Sequence, residues 1–174
     1  MKLMIASDLH GSSYWCTRML EAYKKEQPDR LIFLGDILYH GPRNDLPKEY
    51  APKEVIAQLS PLKEKILCVR GNCDFAALAP ESDIFFAGGV KVFAAHGHRY
   101  GVKTSLDALL NSAHFAGAQL VLYGHTHIAR IDYPAGMTVV NPGMCGAREP
   151  ATFAIIDISP AGGIAARILP ARQL

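Results

Sequence analysis

The chain has 174 residues, of which 49% are apolar, and this length and composition predict a single compact domain over residues 1–174. A chain of this length buries enough apolar surface to fold without disulfides or structural metals, so any metal would serve function. The formal charge of +2 at pH 7, from 18 Lys and Arg against 16 Asp and Glu, excludes a protein that binds a nucleic-acid polymer or a membrane surface mainly by charge.

Short apolar runs rich in β-branched residues recur along the chain and predict strands that are mostly buried. Helix-like or turn-rich segments separate these runs, so the predicted fold class is α/β, with a late half richer in strands. The predicted strands are 3–6, 31–34, 66–69, 90–95, 120–123, 138–140, 153–158 and 164–169.

Three helices are predicted between these strands. Met19 and Tyr23 recur at helical spacing in 13–25, behind a serine that can cap the free N–H groups, so the chain begins with a β-α-β unit. Residues 53–59, between two prolines, and 105–116 supply the other two helices.

Residues 39–52 are predicted to form a long loop, because Gly41, Pro42, Pro47 and Pro52 prevent a regular element. Loops of this length in a compact domain usually contact a ligand, and an idle surface loop is the alternative.

The four cysteines form no C-x-x-C pair, so free thiols in a reducing compartment, the cytoplasm, are expected. The apolar runs stay well below the ~18 residues needed to cross a bilayer, so neither a signal peptide nor a membrane segment is expected.

Seven polar side chains of metal-binding type stand at the carboxyl ends of the first five predicted strands. In an open parallel sheet these ends share one edge, so we expect the seven side chains to converge there. Two carboxylates, four imidazoles and one amide suit Mn, Fe, Zn or similar ions. The seven are Asp8 and His10, Asp36, Asn72, His96, and His125 and His127.

Seven ligands with one shared carboxylate divide into two sites of four ligands each. Two ions about 3.5 to 4 Å apart activate a water as hydroxide and hold the attacking and leaving oxygens of a phosphoryl displacement. The predicted reaction is therefore phosphoester hydrolysis. Each short motif alone is weak, and the prediction depends on their order and context.

Five motifs in this order resemble those of the calcineurin-like metallophosphoesterases, over residues 2 to about 143. Segments 40–44, 50–52 and 70–74 are similar to the small bacterial YfcE-type phosphodiesterases of that superfamily. The five motifs are Asp8-x-His10, Gly35-Asp36, Gly71-Asn72-Cys73-Asp74, His96-Gly97-His98 and Gly124-His125-x-His127.

The resemblance implies a two-sheet α/β/β/α sandwich without a cap domain, a small phosphodiester substrate and a homo-oligomer, either a dimer or a tetramer. It also implies two divalent ions, with Mn²⁺ expected and Fe, Zn or Ni as alternatives. Asp36 bridges the ions, and Asn72 also helps to orient the phosphate. The implied ligands are Asp8, His10, Asp36 and His127 for one ion, and Asp36, Asn72, His96 and His125 for the other.

Cys73 departs from the pattern, since many members carry histidine there. A thiol is a weak hydrogen-bond donor and lacks the positive charge that an imidazolium offers a phosphate dianion. We therefore expect phosphodiesterase activity that is weak on monoesters, with an inert packing role for Cys73 as the alternative.

His98 is expected either to contact the substrate and assist the leaving group or to orient a metal ligand. Arg43 and Arg99 are expected either to bind a substrate anion through a guanidinium fork or to be solvated surface charges.

Three other functions compete with this enzyme. A protein-binding module of the retromer-subunit type shares the fold but need not retain every ligand, and here all seven positions carry metal-binding types. A nucleotide-binding redox protein needs G-x-G-x-x-G after the first strand, where Asp8-Leu9-His10-Gly11 stands instead. A nuclease would need a basic track for a polymer backbone, which the near-neutral charge does not offer.

Overall fold

Ten strands form two five-stranded sheets in the computed structural model, which describes residues 1–42, 44–146 and 150–171. The strands are β1 (Lys2–Ala6), β2 (Arg30–Phe33), β3 (Ile66–Cys68), β4 (Ser82–Ala87), β5 (Val90–Ala95), β6 (Leu120–Tyr123), β7 (Arg130–Asp132), β8 (Thr138–Asn141), β9 (Thr152–Ile158) and β10 (Ile164–Pro170). The α-helices are α1 (Ser13–Glu26), α2 (Pro52–Leu59) and α3 (Asp107–Phe115), and short 3₁₀ helices span Ser60–Lys65, His98–Tyr100 and Pro134–Gly136.

All eight predicted strands and all three predicted helices are present, with bounds that differ by at most two residues. The sequence patterns missed β4 and β7. β4 carries only the short apolar run 84–87 and leaves one face exposed, and β7 has three residues, two of them charged. As predicted, a serine caps α1, because the Ser12 hydroxyl accepts a hydrogen bond from the N–H of Trp15.

The strand order is β10-β9-β1-β2-β3 in the first sheet and β4-β5-β6-β8-β7 in the second. Strands β1, β2 and β3 are parallel to one another, as are β5, β6 and β8. β9 pairs antiparallel with β1 and with β10, β4 with β5, and β7 with β8. The strand ends that carry the predicted ligands therefore belong to two sheets, as the two-sheet prediction requires, and not to one open parallel sheet. The segment between β3 and β5 contains no crossover helix, and β4 pairs with β5 through a Gly88-Gly89 turn, which begins a second sheet.

Three apolar layers hold the sandwich together. Alternate side chains of β1, such as Leu3 and Ile5, pack between the two sheets, while Met4 and Ala6 pack under α1. On the far side of the second sheet, α3 covers β5, β6 and β8. Because the central strands are buried on both faces, they form the continuous apolar runs seen in the sequence. The predicted α/β/β/α fold class is confirmed.

Residues 39–42 and 44–51 form an irregular loop before α2, which begins at Pro52, and the loop pairs with the start of α1. Ser12 and Tyr50 form an isolated β-bridge, and the Ser12 hydroxyl donates to the carbonyl of Lys48. Every helix in the described ranges is too short or too polar to cross a bilayer.

Candidate metal centre

The structure brings all seven predicted ligands together at one end of the sandwich. They come from both sheets, because the carboxyl ends of the two sets of parallel strands meet at the same end. Short contacts between side chains link each of the seven to another member. The first sheet contributes Asp8 and His10 after β1, Asp36 after β2 and Asn72 after β3, and the second sheet contributes His96 after β5 and His125 and His127 after β6.

The first half of the cluster surrounds Asp8. The Oδ1 atom of Asp8 lies 3.7 Å from Nε2 of His10 and 3.1 Å from Nε2 of His127. Nε2 of His10 also lies 4.0 Å from Oδ2 of Asp36. Asp8, His10 and His127 thus offer ligand atoms that all lie within 4.8 Å of one another.

The second half of the cluster surrounds His96. Its Nε2 atom lies 3.5 Å from Oδ2 of Asp36, 3.1 Å from Oδ1 of Asn72 and 3.1 Å from Nδ1 of His125. Asp36 therefore contacts both halves through the same carboxylate oxygen.

The hydrogen bonds of two imidazoles show that their inward nitrogens are acceptors. Nδ1 of His10 donates to the carbonyl of Tyr39 at 2.9 Å, and Nδ1 of His96 donates to the carbonyl of Leu34 at 2.6 Å. In a neutral ring the other nitrogen, Nε2, then carries a lone pair. Among the residues that the structure describes, Nε2 of His10 is buried and has no hydrogen-bond partner. Lone pairs and carboxylate oxygens converge here, so the donor set fits divalent cations.

The ionisation of the cluster also favours cation binding. Burial opposes ionisation of Asp8, but its hydrogen bond with His127 and its proximity to His96 hold the pKa of the carboxyl well below its usual range. Burial lowers the pKa of His125 to about 4, with a further contribution from His96, so this ring is neutral at pH 7. Burial raises the pKa of Asp36, and the neighbouring Asp8 carboxylate adds to this rise.

Five of the seven predicted ligands have left-handed backbone conformations, with φ between 52° and 66°. Such conformations cost about 1 to 3 kcal/mol each where a non-glycine residue is held in them, and they cluster at functional sites. Hydrogen bonds between the strand ends hold this geometry. The N–H of one of these residues, His10, for example donates to the carbonyl of Asp36 at 2.8 Å. The five are Asp8, His10, Asp36, His125 and His127.

Asp74 holds the turn that carries Asp36, a role that the sequence motif did not indicate. Its carboxylate accepts hydrogen bonds from the N–H groups of Asp36 at 2.7 Å, Ile37 at 3.1 Å and Gly71 at 3.0 Å. The N–H of Cys73 in turn donates to Oδ1 of Asp36 at 2.7 Å. The Asp36 carboxylate is thereby oriented before any cation binds.

Gly71 is needed because the Asp36 turn passes directly over it. A Cβ atom at this position would lie 2.0 Å from Oδ1 and 2.4 Å from the backbone N of Asp36. We expect Gly71→Ala to displace the carboxylate and reduce hydrolysis about 100-fold, since a 1 Å misplacement has an effect of this size. The matched control is Gly163→Ala in an exposed turn, where the nearest atom is 3.1 Å away and activity is expected to be retained. Equal activity of the two variants would contradict this role of Gly71.

A cleft of about 430 Å³ opens over the cluster. Its lining adds Tyr39, Gly41 and Asn44 from the loop, and Lys103 from the turn before α3. Lys103 belongs to none of the sequence motifs. Only the fold brings it to the rim of the cleft beside His125. The long loop therefore lines the cleft, and its contact with a ligand stays a prediction.

Cys73 lies at the cluster, although the ligand set predicted from the sequence contains no thiolate. Its Sγ atom and the ligand atoms of His10 and Asp36 all lie within 4.8 Å of one another. Burial raises the pKa of the Cys73 thiol to about 12, with the Asp36 carboxylate contributing, so the group is a neutral thiol.

His98 and Arg99 lie further from the cleft. The ring of His98 packs against His96, with centroids 5.4 Å apart, and burial lowers its pKa. Within the described ranges, His98 does not line the cleft. The guanidinium of Arg99 pairs with Glu81 at 2.7 Å, and Arg43 lies outside the described residues.

Comparison with known proteins agrees with this geometry. The model of the calcineurin-like phosphoesterase superfamily domain matches residues 1–161. Phosphodiesterase YfcE of Escherichia coli (strain K12) is 35% identical over 169 residues, which cover 90% of this chain and 88% of that protein. The probable metallophosphoesterase YsnB of Bacillus subtilis (strain 168) is 29% identical over 143 residues, which cover 82% of this chain and 74% of that protein.

Solved structures show the same architecture. The structure of YfcE, described as a phosphoesterase from E. coli, matches with a TM-score of 0.77 and 29% identity, covering 99% of this chain and 100% of that one. A mutant of Vps29 from Entamoeba histolytica matches with a TM-score of 0.73 and 18% identity, covering 98% of this chain and 99% of that one, which supports the fold alone. Together with its strand order and the side chains at its strand ends, these matches show that the chain belongs to the calcineurin-like phosphoesterase superfamily.

Proposed function

We propose that this protein is a metal-dependent phosphodiesterase that hydrolyses small phosphodiesters with two divalent ions, and that Mn²⁺ is the ion used. The observation that carries the proposal is the convergence of Oδ2 of Asp36 with Nε2 of His10 and Nε2 of His96, whose rings already donate from Nδ1 to backbone carbonyls. These acceptor atoms repel one another when no cation lies between them. The 35% identity to a named phosphodiesterase supports the reaction type.

The proposed ligand sets follow the two halves of the cluster. Divalent ions bound there supply the positive charge that activates water and stabilises charge on the phosphoryl oxygens. Asp36 is proposed to join the two sites, because its Oδ2 atom faces both His10 and His96. The sets are Asp8, His10, Asp36 and His127 for one ion, and Asp36, Asn72, His96 and His125 for the other.

Other residues of the chain position the substrate. We propose that the ammonium group of Lys103, at the rim of the cleft, attracts the anionic phosphate, and that Asn72 helps to orient it. His98 is proposed to orient His96 through the contact between their rings, so that the leaving group takes its proton from solvent.

The neutral thiol of Cys73 favours diesters. A phosphate monoester carries nearly two negative charges at neutral pH and gains most from a cation at this position, whereas a diester carries one. With Mn²⁺ present, we expect bis(4-nitrophenyl) phosphate to be hydrolysed with a kcat/KM at least about tenfold above that of 4-nitrophenyl phosphate, because a hydrogen bond from a charged donor is worth about 1.5 to 3 kcal/mol.

Cys73→His tests this explanation directly. The variant is expected to raise the monoester-to-diester ratio of kcat/KM about tenfold, because an imidazolium can donate to the additional charge of the monoester. Cys73→Ser is the matched control, since it removes the thiol without adding a cation, and its ratio is expected to match the wild type. A histidine variant with no relative gain on monoesters would leave Cys73 as a packing residue. Absence of diester hydrolysis by the wild-type protein with Mn²⁺ would contradict the proposed function itself.

The alternative is a protein-binding module of the retromer-subunit type. The likeness to Vps29 supports the common fold, at 18% identity, and carries no functional argument. All seven predicted ligand positions carry metal-binding side chains here, which favours the enzyme. A calorimetric titration with Mn²⁺ distinguishes the two, since the enzyme is expected to bind two ions per chain.

The cellular setting is also a proposal. The four cysteines, Cys16, Cys68, Cys73 and Cys145, are free thiols, which supports a reducing compartment such as the cytoplasm. We further propose a homo-oligomer, a dimer or a tetramer, on the resemblance to the small bacterial members of the superfamily.

A further inference from the structure

An apolar cavity of about 260 Å³ adjoins the catalytic cleft. Leu38, Phe75, Ala77 and Leu78 line it. It shares Tyr39 and Cys73 with the cleft, so the two spaces meet at the side chains that flank His10 and Asp36. A group attached to a phosphate in the cleft can therefore extend into this cavity.

The one acidic residue in the wall does not make the cavity polar. Asp74 lines it, but its carboxylate oxygens accept three backbone N–H groups, those of Asp36, Ile37 and Gly71. The Asp74 carboxylate therefore faces the Asp36 turn, where the three N–H groups compensate its charge. The cavity is left with an apolar surface, which does not suit a sugar or a second phosphate.

Two apolar residues at this cavity are exposed to solvent. The side chain of Phe75 is 84% exposed and that of Leu78 is 46% exposed. Single exposed apolar residues are ordinary, but here they stand together beside a polar cleft, and such patches mark binding surfaces.

The apolar surface continues away from the cleft. A second cavity of about 280 Å³ shares Leu38 and Leu78 with the first and extends to Ile56, Leu59 and Ile66, and its mostly apolar lining also includes Ser60 and Lys63. We call the two cavities together the apolar groove. Two cavities in series form an elongated space, which suits a flexible chain better than a compact ring.

We propose that the apolar groove binds a long alkyl chain esterified to the scissile phosphate, so that the substrate class is an alkyl phosphodiester. This inference rests on the proposed phosphodiesterase function. The chain lies along Tyr39, Phe75 and Leu78, while the phosphate occupies the cleft over Asp36. Burial of each methylene group then contributes to substrate affinity.

A homologous series of substrates measures this contribution. The 4-nitrophenyl alkyl phosphates from methyl to octyl share one leaving group and one charge, so only the alkyl chain varies. With Mn²⁺, and below the concentration at which the octyl ester forms micelles, we expect kcat/KM to rise about 10- to 100-fold from methyl to octyl. This is less than full burial of every methylene would give, because the groove is open to water on one side.

Two variants and a matched control locate the effect. Leu78→Ser and Phe75→Ser are expected to reduce the octyl-to-methyl ratio of kcat/KM to about twofold or less. Phe86→Ser alters a phenylalanine on β4 that is 70% exposed and lies outside the groove, and it is expected to keep the wild-type ratio. Equal hydrolysis of the methyl and octyl esters by the wild type would overturn the proposal.

A binding measurement separates this proposal from the proposed function. Methyl octyl phosphate and dimethyl phosphate have poor leaving groups and remain intact during calorimetry on the Mn²⁺-loaded protein. We expect methyl octyl phosphate to bind at least about tenfold more tightly to the wild type, and this preference to be lost in Leu78→Ser. If the wild type prefers methyl octyl phosphate but hydrolyses none of the 4-nitrophenyl esters, the result supports alkyl binding in the groove and contradicts the proposed phosphodiesterase function. Equal binding of the two would overturn the groove. Sedimentation of Leu78→Ser gives a further check. If the variant is a monomer where the wild type is an oligomer, and its octyl-to-methyl ratio of kcat/KM is unchanged, the groove is an interface between copies and the proposal is overturned.

Discussion

Replacing Asp36 with alanine is expected to reduce phosphodiester hydrolysis at least about 1000-fold, because a cation at the reacting phosphate contributes several kcal/mol and each 1.36 kcal/mol is tenfold in rate. The Oδ2 atom of Asp36 lies 4.0 Å from Nε2 of His10 and 3.5 Å from Nε2 of His96, so its loss affects both proposed ion sites. The measurement is kcat for bis(4-nitrophenyl) phosphate at saturating Mn²⁺.

The isosteric variant Asp36→Asn separates loss of charge from loss of structure. Its amide oxygen can still accept the N–H of Cys73, and removal of the charge relieves repulsion from the Asp8 carboxylate. We therefore expect metal-free Asp36→Asn to melt at or above the wild-type temperature while it is inactive. Asp45→Asn, on the exposed part of the long loop, is the control and should retain full activity. Full activity of either Asp36 variant would refute its role as the shared ligand.

Removal of metal is expected to abolish hydrolysis and to lower the melting temperature, and addition of Mn²⁺ is expected to restore both. The converging acceptors around Asp8 and His96 repel one another without cations, so binding stabilises the folded state. At a free concentration one hundred times Kd, one bound ion adds about 2.7 kcal/mol to the free energy of unfolding. For a protein of this size, that corresponds to a rise of about 5 to 10 °C, which scanning calorimetry can measure.

Two histidine variants test where the ion binds. His10→Ala removes the buried Nε2 that has no hydrogen-bond partner, and it is expected to lose most of the Mn²⁺-dependent rise in melting temperature. His114→Ala, on the exposed face of α3, should keep the full rise. A wild-type protein whose activity and melting temperature are both indifferent to chelator and to Mn²⁺ would contradict the metal centre. A stoichiometry of one ion per chain would contradict the dinuclear form.

Part of the structure follows directly from local sequence. The central strands are buried on both faces, so their apolar runs are continuous and reveal their position, as in 3–6 and 120–123. Polar residues directly after such runs must lie at strand ends, which is why the seven predicted ligands were recognisable. The spacing of Met19 and Tyr23 likewise revealed α1.

Other features depend on contacts between residues far apart in the chain. The division into two sheets follows from the pairing of β4 with β5, which the short apolar run 84–87 does not by itself indicate. Asp74 accepts a hydrogen bond from the N–H of Asp36 at 2.7 Å, a residue 38 positions earlier in the chain. Lys103 lines the cleft together with His125 only because the fold brings the two residues together. The apolar groove is likewise assembled from the long loop, α2 and the segment after β3.

The sequence by itself therefore determined which segments are strands and which side chains stand at their ends, since burial and chain direction leave a local pattern. Tertiary structure alone decided that the ends of two sheets meet, that Asp36 lies between two sets of acceptors and that an apolar groove adjoins them. The physical reason is that distances between residues remote in sequence are set by packing of the sheets and helices, which no local pattern contains.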